Sequence, residues 1–177
     1  MFEGNNTYNI NSCDVIEIFY KLRMDLDKLE CAANITKIVS DVATENENNY
    51  KTLQLLLNTL YMISETDMNM DLITSIFKMR LTSILGFTPR VIECVNCRSK
   101  EELTHFSIQD NGFKCEACSK QDTGAITMHA GTRDGIKYTI MAPSKKLFGF
   151  NIAEECIKEY KVISKIYLNE KLEKDYK

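Results

Sequence analysis

The sequence predicts a mainly α-helical protein: a helical bundle-like domain with a small four-cysteine β-hairpin finger inserted into it. Three observations carry this. Apolar residues recur at helical spacing in long stretches between positions 15 and 85, and again between 152 and 168. Two C-x-x-C pairs, Cys94/Cys97 and Cys115/Cys118, bracket a stretch with strand-like alternation and a strong turn signal. At 177 residues, 44% hydrophobic and 27% charged, the chain has the size and composition to build one substantial core. The divisions are then residues 1–11 as a short start, 12–90 as the helical domain, 91–122 as the finger, and 123–177 as C-terminal helices packing back on the helical domain.

Residues 1–11 are polar and too short to fold alone, with Tyr8-Asn9-Ile10 as a strand end. A helix is expected from about Ser12. Asp14 followed by Glu17 resembles a capping box, and Val15, Ile16, Phe19, Leu22, Leu26 and Leu29 follow at helical spacing. Ile35, Ile38, Val39 and Val42 continue a similar face beyond a bend near Cys31. Asn46-Glu47-Asn48-Asn49 reads as a loop. The second helix, about Tyr50 to Ser64, has Leu53, Leu56, Leu57, Leu60 and Ile63 as its predicted buried stripe. Leu55 and Met62 widen that stripe, which makes the helix central. After a turn at Asp67-Met68-Asn69-Met70, Asp71 opens a third apolar helix, and Gly86 with Pro89 ends it. Leu103–Ile108, the Asp110-Asn111-Gly112 turn and Phe113-Lys114-Cys115 form a hairpin. Helix resumes from about Thr132 to Met141 and breaks at Pro143. A long terminal helix follows, capped by Asn151 and Glu154 and fraying at Glu170–Lys174.

The cysteine spacing is C-x2-C-x17-C-x2-C. Two intervening residues let one tight turn aim both sulfurs at a single ion, and the long connection brings the second pair opposite the first. Cys94, Cys97, Cys115 and Cys118 are therefore the expected ligands of one structural zinc ion; iron fits the same donors. Four protein ligands leave no open position for water or substrate, which points to structure and not catalysis. Cys13, Cys31 and Cys156 read as small buried hydrophobes.

The net charge is −3, unevenly spread: residues 1–97 hold 8 Lys/Arg against 13 Asp/Glu, and residues 98–177 hold 14 against 12. Bulk charge thus argues against a strongly basic nucleic-acid-binding surface. A catalytic pair would need His105 and His129 both brought to a nucleophile, and the sequence shows no such arrangement, nor a phosphate-cradling glycine loop or catalytic elbow. A binding module is expected, not an enzyme. With no signal peptide and no long apolar run, a cytoplasmic protein is expected.

Taken in order, these motifs resemble the C-terminal part of the bacterial recombination mediator RecO. The likeness opens at Ile18–Leu26, similar to that family's F-x-x-L-R-x-D-L pattern. It runs through Phe77-Lys78-Met79-Arg80-Leu81, Gly86-Phe87-Thr88-Pro89 and the two cysteine pairs. Phe106-Ser107, Gly112-Phe113, Leu147-Phe148-Gly149-Phe150 and Tyr167–Leu172 complete it over residues 8–175. The resemblance implies a zinc finger in a helical domain that assists DNA repair and recombination. It implies displacement of single-stranded DNA-binding protein, strand annealing and, with RecR, RecA loading. It also implies an N-terminal oligonucleotide-binding barrel that this chain lacks, with residues 1–11 as its remnant or a disordered start and the chain a fragment or a short form. Single-stranded DNA would then bind weakly, or only with that barrel.

The acidic, apolar tail of single-stranded DNA-binding protein would dock on the helical domain, with Arg23, Lys28 and Arg80 as candidate partners of its carboxylates. Arg23 and Arg80 compete with a reading in which they simply tie helices together. Arg98, Lys100, Lys114 and Lys120 around the knuckles, and Lys145 with Lys146 beside Leu147-Phe148, are candidate DNA contacts, although Glu101, Glu102 and Glu116 are interleaved. The alternative is a generic zinc-ribbon adaptor, for example in transcription.

Overall fold

The computed structural model describes residues 2–4, 7–9, 11–45 and 48–176. β1 (Phe2–Gly4) pairs antiparallel with β2 (Thr7–Asn9). Ile10, and Asn46 and Glu47 of the expected loop, lie outside the described residues.

The helix expected from Ser12 begins later. Residues 11–19 are irregular, Tyr20–Met24 form a 3-10 turn, and α1 runs from Leu26 to Val42. Asp25 is the cap, its side chain accepting from the backbone N–H of Asp27 and Lys28 at 2.9 and 3.1 Å. Glu17 instead accepts from its own neighbours, the N–H groups of Ile18 and Phe19. Val15 and Ile16, counted above as a helical face, are 73% and 98% exposed. Periodicity alone was the wrong guide here, because no partner surface lies opposite these side chains among the described residues.

α2 (Tyr50–Glu65) buries Leu55 and Ile63 and packs Leu56, Leu60 and Met62 partly against the core, as predicted, but its stripe is rotated toward two threonines. Thr52, Leu55, Thr59 and Ile63 face the core, while Leu53 and Leu57 are half exposed. The threonines are admissible inside because a helical hydroxyl can satisfy itself: Thr59 Oγ1 donates to Leu55 O at 2.7 Å. The central helix is not α2 but α3 (Met70–Ile84), whose Leu72, Ile73, Ile76, Phe77, Met79 and Leu81 are fully buried. Asn69 caps its N-terminus through Asp71 N and Leu72 N. At its other end Gly86 adopts φ 97°, Phe87 N donates to Thr82 O and Gly86 N to Ser83 O, closing the helix in a Schellman motif.

Beyond it, β3 (Leu103–Ser107) and β4 (Gly112–Cys115) form the predicted hairpin, and α4 (Glu116–Ser119) adds a single turn. β5 (Ile126–Thr127) pairs with the other edge of β3, a third strand too short to announce itself in the sequence. α5 (Ala130–Met141) is followed by a 3-10 turn at Ser144–Lys146 and by α6 (Glu154–Leu172). The Asn151 and Glu154 box does not form; Asn151 Oδ1 accepts from Ile152 N, and Ala153 holds the cap position with no side-chain bond. Nor do the last residues fray. Asn169 bridges to Tyr176 N and O, and the buried Tyr176 donates its hydroxyl to Asp41 at 3.1 Å.

α6 lies along α3 through Tyr160, Ile163, Tyr167 and Leu168, and the same core continues into the hairpin. Phe106 packs edge-on against Phe113 and Tyr167, with centroids 6.0 and 5.3 Å apart. Tyr167 also donates its hydroxyl to Phe87 O at 2.8 Å, stitching α6 to the segment that leads into the finger. Cys156 is buried as expected, Cys31 half-buried, and Cys13 exposed.

Candidate metal centre and charged surfaces

The two knuckles are built from backbone hydrogen bonds. Arg98 N donates to Cys94 O at 3.0 Å and Cys94 N to Ser99 O at 2.7 Å, curling the chain around Cys94 and Cys97. Closing that curl puts Arg98 at φ 62°, a left-handed conformation that costs a non-glycine residue energy. The second knuckle uses the end of β4 and the single turn of α4 to carry Cys115 and Cys118. What brings the knuckles face to face is Gly112. A Cβ there would stand 2.4 Å from Arg90 O and 2.8 Å from a Val95 methyl. The glycine lets Arg90 lie against β4, with Phe113 N donating to Arg90 O and Val95 N to Phe113 O, both at 2.9 Å.

All four sulfurs consequently lie within 4.8 Å of one another, with Cys97 and Cys115 Sγ 3.6 Å apart. A tetrahedron of thiolates about 2.3 Å from a central ion has edges of about 3.8 Å, so the cluster can hold a metal ion. Its acidity is split. Burial opposes ionisation of Cys94, but N–H groups of Cys97, Cys115 and Asn96 donate to its sulfur and bring its pKa down to about 6. Cys118 goes the other way, to about 12, because its S–H is held by Cys115 and Cys97 and a neighbouring thiolate opposes a second charge. Four thiolates this close repel one another, so holding all of them ionised requires a cation in their midst.

A buried polar knot sits behind the cluster. Lys114, 3% exposed, pairs with Asp122 at 2.8 Å and with Asp110. Asp122 further accepts from Ser107 Oγ at 2.6 Å and from Gly124 N at 3.1 Å, and Lys114 holds its carboxyl below the ordinary value. Lys114 is thus withdrawn from the expected DNA contacts: its charge is consumed inside the finger. Nothing in the sequence marks Asp122 as its partner.

A family model described as Recombination protein O C terminal matches residues 23–177. This chain belongs to that family. The DNA repair protein RecO of Acetivibrio thermocellus is 39% identical over 177 residues, covering 99% of this chain and 70% of that protein. RecO of Thermoanaerobacter sp. is 28% identical over 177 residues, and RecO of Bacillus subtilis 29% over 150, which cover 71% and 58% of those proteins.

The cations that the RecO resemblance singled out lie in three places. Arg23 and Lys28 share one edge, where exposed Tyr20, Met24 and Leu26 stand beside them and Lys28 Nζ donates to Ser64 O at 3.4 Å at the end of α2. Arg80 is not with them. Its Nη1 donates to Thr139 O and Ile140 O at 3.1 and 2.9 Å, tying α3 to the C-terminal carbonyls of α5, while it lines a groove beside the first half of α2. Arg98, Lys100 and Lys120 are exposed around the knuckles; Lys145 is exposed on a hollow that adjoins the Arg80 groove, and Lys146 is exposed next to it in the chain. The histidines stay apart from the cluster. His105 is bonded between Thr104 and Thr127, and His129 pairs with Glu159, which also accepts from Thr132 at 2.6 Å. Sequence reasoning passed over Lys78. It is buried in α3 beside a cavity that Lys161 also lines, and burial, with Lys165 and Lys161 nearby, holds its pKa below the usual lysine value. A lysine inside an apolar helical stripe was the only available signal.

Proposed function

We propose that this chain serves DNA repair and homologous recombination as a non-enzymatic, partner-binding module. In this reading one zinc ion held by Cys94, Cys97, Cys115 and Cys118 fixes the finger, supplying structure and no chemistry. The observation that carries it is the closed four-sulfur cluster, rooted through Phe106, Phe113 and Tyr167 in the same core as the helices, in a chain of the recombination protein O family. A closed ligand set rigidifies; it does not activate water.

The module acts with single-stranded DNA-binding protein, RecR and single-stranded DNA in the cytoplasm, helping to clear a coated strand, anneal complementary strands and allow RecA to load. The acidic, apolar tail of single-stranded DNA-binding protein docks on the Tyr20–Leu29 edge. There Arg23 and Lys28 meet its carboxylates, and Tyr20, Met24 and Leu26 meet its apolar end. Arg98, Lys100 and Lys120 make auxiliary phosphate contacts. No helix among the described residues is long and apolar enough to cross a membrane.

Two measurements test the reading. Elemental mass spectrometry should return about one zinc per chain. Fluorescence anisotropy should show binding of a labelled acidic tail peptide, weakened about tenfold or more by Arg23→Glu with Lys28→Glu. A generic adaptor would ignore the peptide, and unchanged affinity in the double variant would reject the assigned edge.

A further inference from the structure

A groove runs between α2 and the Ser144–Gly149 segment. Two adjoining hollows of about 360 and 550 Å³ share Gln54, Asn58 and Ser144 and so form one continuous channel. Its charge is one-sided. Lys51 and Arg80 line one hollow and Lys145 the other, and no carboxylate lines either, in a chain whose net charge is −3. None of these three cations is ion-paired among the described residues, whereas Lys21, Lys114, Lys158, Lys161, Lys174 and Arg133 all are.

The remaining lining mixes the aliphatic side chains of Leu55, Met62, Ile84 and Leu147 with aromatic and amide groups. Tyr50, Gln54, Asn58 and Tyr61 fall at i, i+4, i+8 and i+11 of α2, hence on one face. Tyr50 and Tyr61 are 65% and 52% exposed. Phe148 stands on the opposite wall. That wall is held in place: Gly149 N donates to Lys146 O, Tyr138 donates its hydroxyl to the same carbonyl at 2.9 Å, and the Tyr138 ring packs at a tilt against Phe150.

We propose that this groove is a path for single-stranded nucleic acid. Cations on both walls meet successive phosphates, the exposed rings offer faces for bases to stack on, and Gln54 and Asn58 present donors and acceptors to base edges. From Tyr50 to Tyr61 the helix rises about 16 Å, room for about four or five stacked nucleotides. An acidic peptide would satisfy the cations equally well. However, Leu55 and Leu147 are only 4% and 2% exposed and offer a peptide anchor little apolar surface, whereas Tyr50 and Tyr61 stand out toward solvent with amides between them. The site lies away from the Tyr20–Leu29 edge, so it stands or falls separately from tail docking.

The test is anisotropy of a labelled oligo-dT across a salt series, using the whole chain. Lys51→Glu with Lys145→Glu should weaken binding at least tenfold and make the slope of log K against log salt shallower by about 1.4. Tyr61→Ala should weaken it about fivefold or more with little change in slope. Lys37→Glu, a charge change on α1, should have little effect, and all variants should melt as the parent does. Wild-type binding in the groove variants, or no strand binding by the parent at low salt, would overturn the proposal. So would an outcome in which the variants keep the oligonucleotide but lose an acidic peptide.

Discussion

The middle of α3 and the four-cysteine finger belong to one apolar cluster, yet they are ordered by different means. Around α3, six large side chains are sealed on every side by α6, α2, α5 and α1, and burial alone accounts for their order. In the finger the large buried apolar side chains are few, Val91, Leu103, Phe106 and Phe113, and what lies distal to them is tied by the Lys114–Asp122 pair, the Arg90 strap over Gly112 and, in the proposed reading, a metal ion on the four sulfurs. A helix can pack against whatever reaches it, whereas a short hairpin with one apolar face needs staples. The difference predicts that perturbations divide by region.

Metal removal gives the largest effect. A strong chelator should abolish hydrogen-exchange protection at Cys94, Val95 and Arg98 N–H while α3 amides keep most of theirs. Equal loss in both regions would break the comparison. Phe77→Ala comes next and should cost about 3–5 kcal/mol in denaturant unfolding, because it empties a fully enclosed site. It should lower the whole transition while leaving the metal content at one ion. Gly112→Ala sets a methyl group against Arg90 backbone and Val95. We expect a loss of about 2 kcal/mol, and weaker metal retention without a matching loss in the helices.

The smallest effect sharpens the contrast by pH. Asp122 has a depressed pKa in the folded protein, with Lys114 and Ser107 as its stabilising partners, so its contribution is present above the ordinary carboxylate pKa and is lost as pH falls through the folded value. Asp122→Asn should cost about 1–2 kcal/mol at neutral pH and flatten the acid limb of a stability–pH curve. If the acid limb is unchanged, the pair is not what holds the base of the finger together.

How much of this was legible beforehand follows from what each feature needs. Metal-ligand spacing and helix-ending signals are local, so Cys94 through Cys118 and the Gly86 stop could be read directly. Which face of a helix is inside depends on neighbours. The stripe of α2 was partly misread because Thr52 and Thr59 look polar until one sees Thr59 bonded to its own helix. The apolar spacing at Val15 and Ile16 was real but had no surface to meet. Charged residues were least legible: Lys114 and Lys100 are alike in sequence, and only the return of the chain at Asp122 buries one of them. Arg80 shows the same dependence, since its tie to α5 joins positions 59 and 60 residues apart.

The contact between Tyr167 and the carbonyl of Phe87 spans 80 residues. During synthesis α3 therefore leaves the ribosome long before α6 exists to cover it. At ordinary elongation rates the interval is about 4 to 16 s, far longer than hydrophobic collapse takes. Throughout that time Ile73, Ile76 and Phe77 lie open on one side, and the nascent chain presents its most apolar helix to whatever holdase or neighbouring chain is at hand. α6 completes the seal, so a ribosome stalled within it would release a chain with its centre exposed.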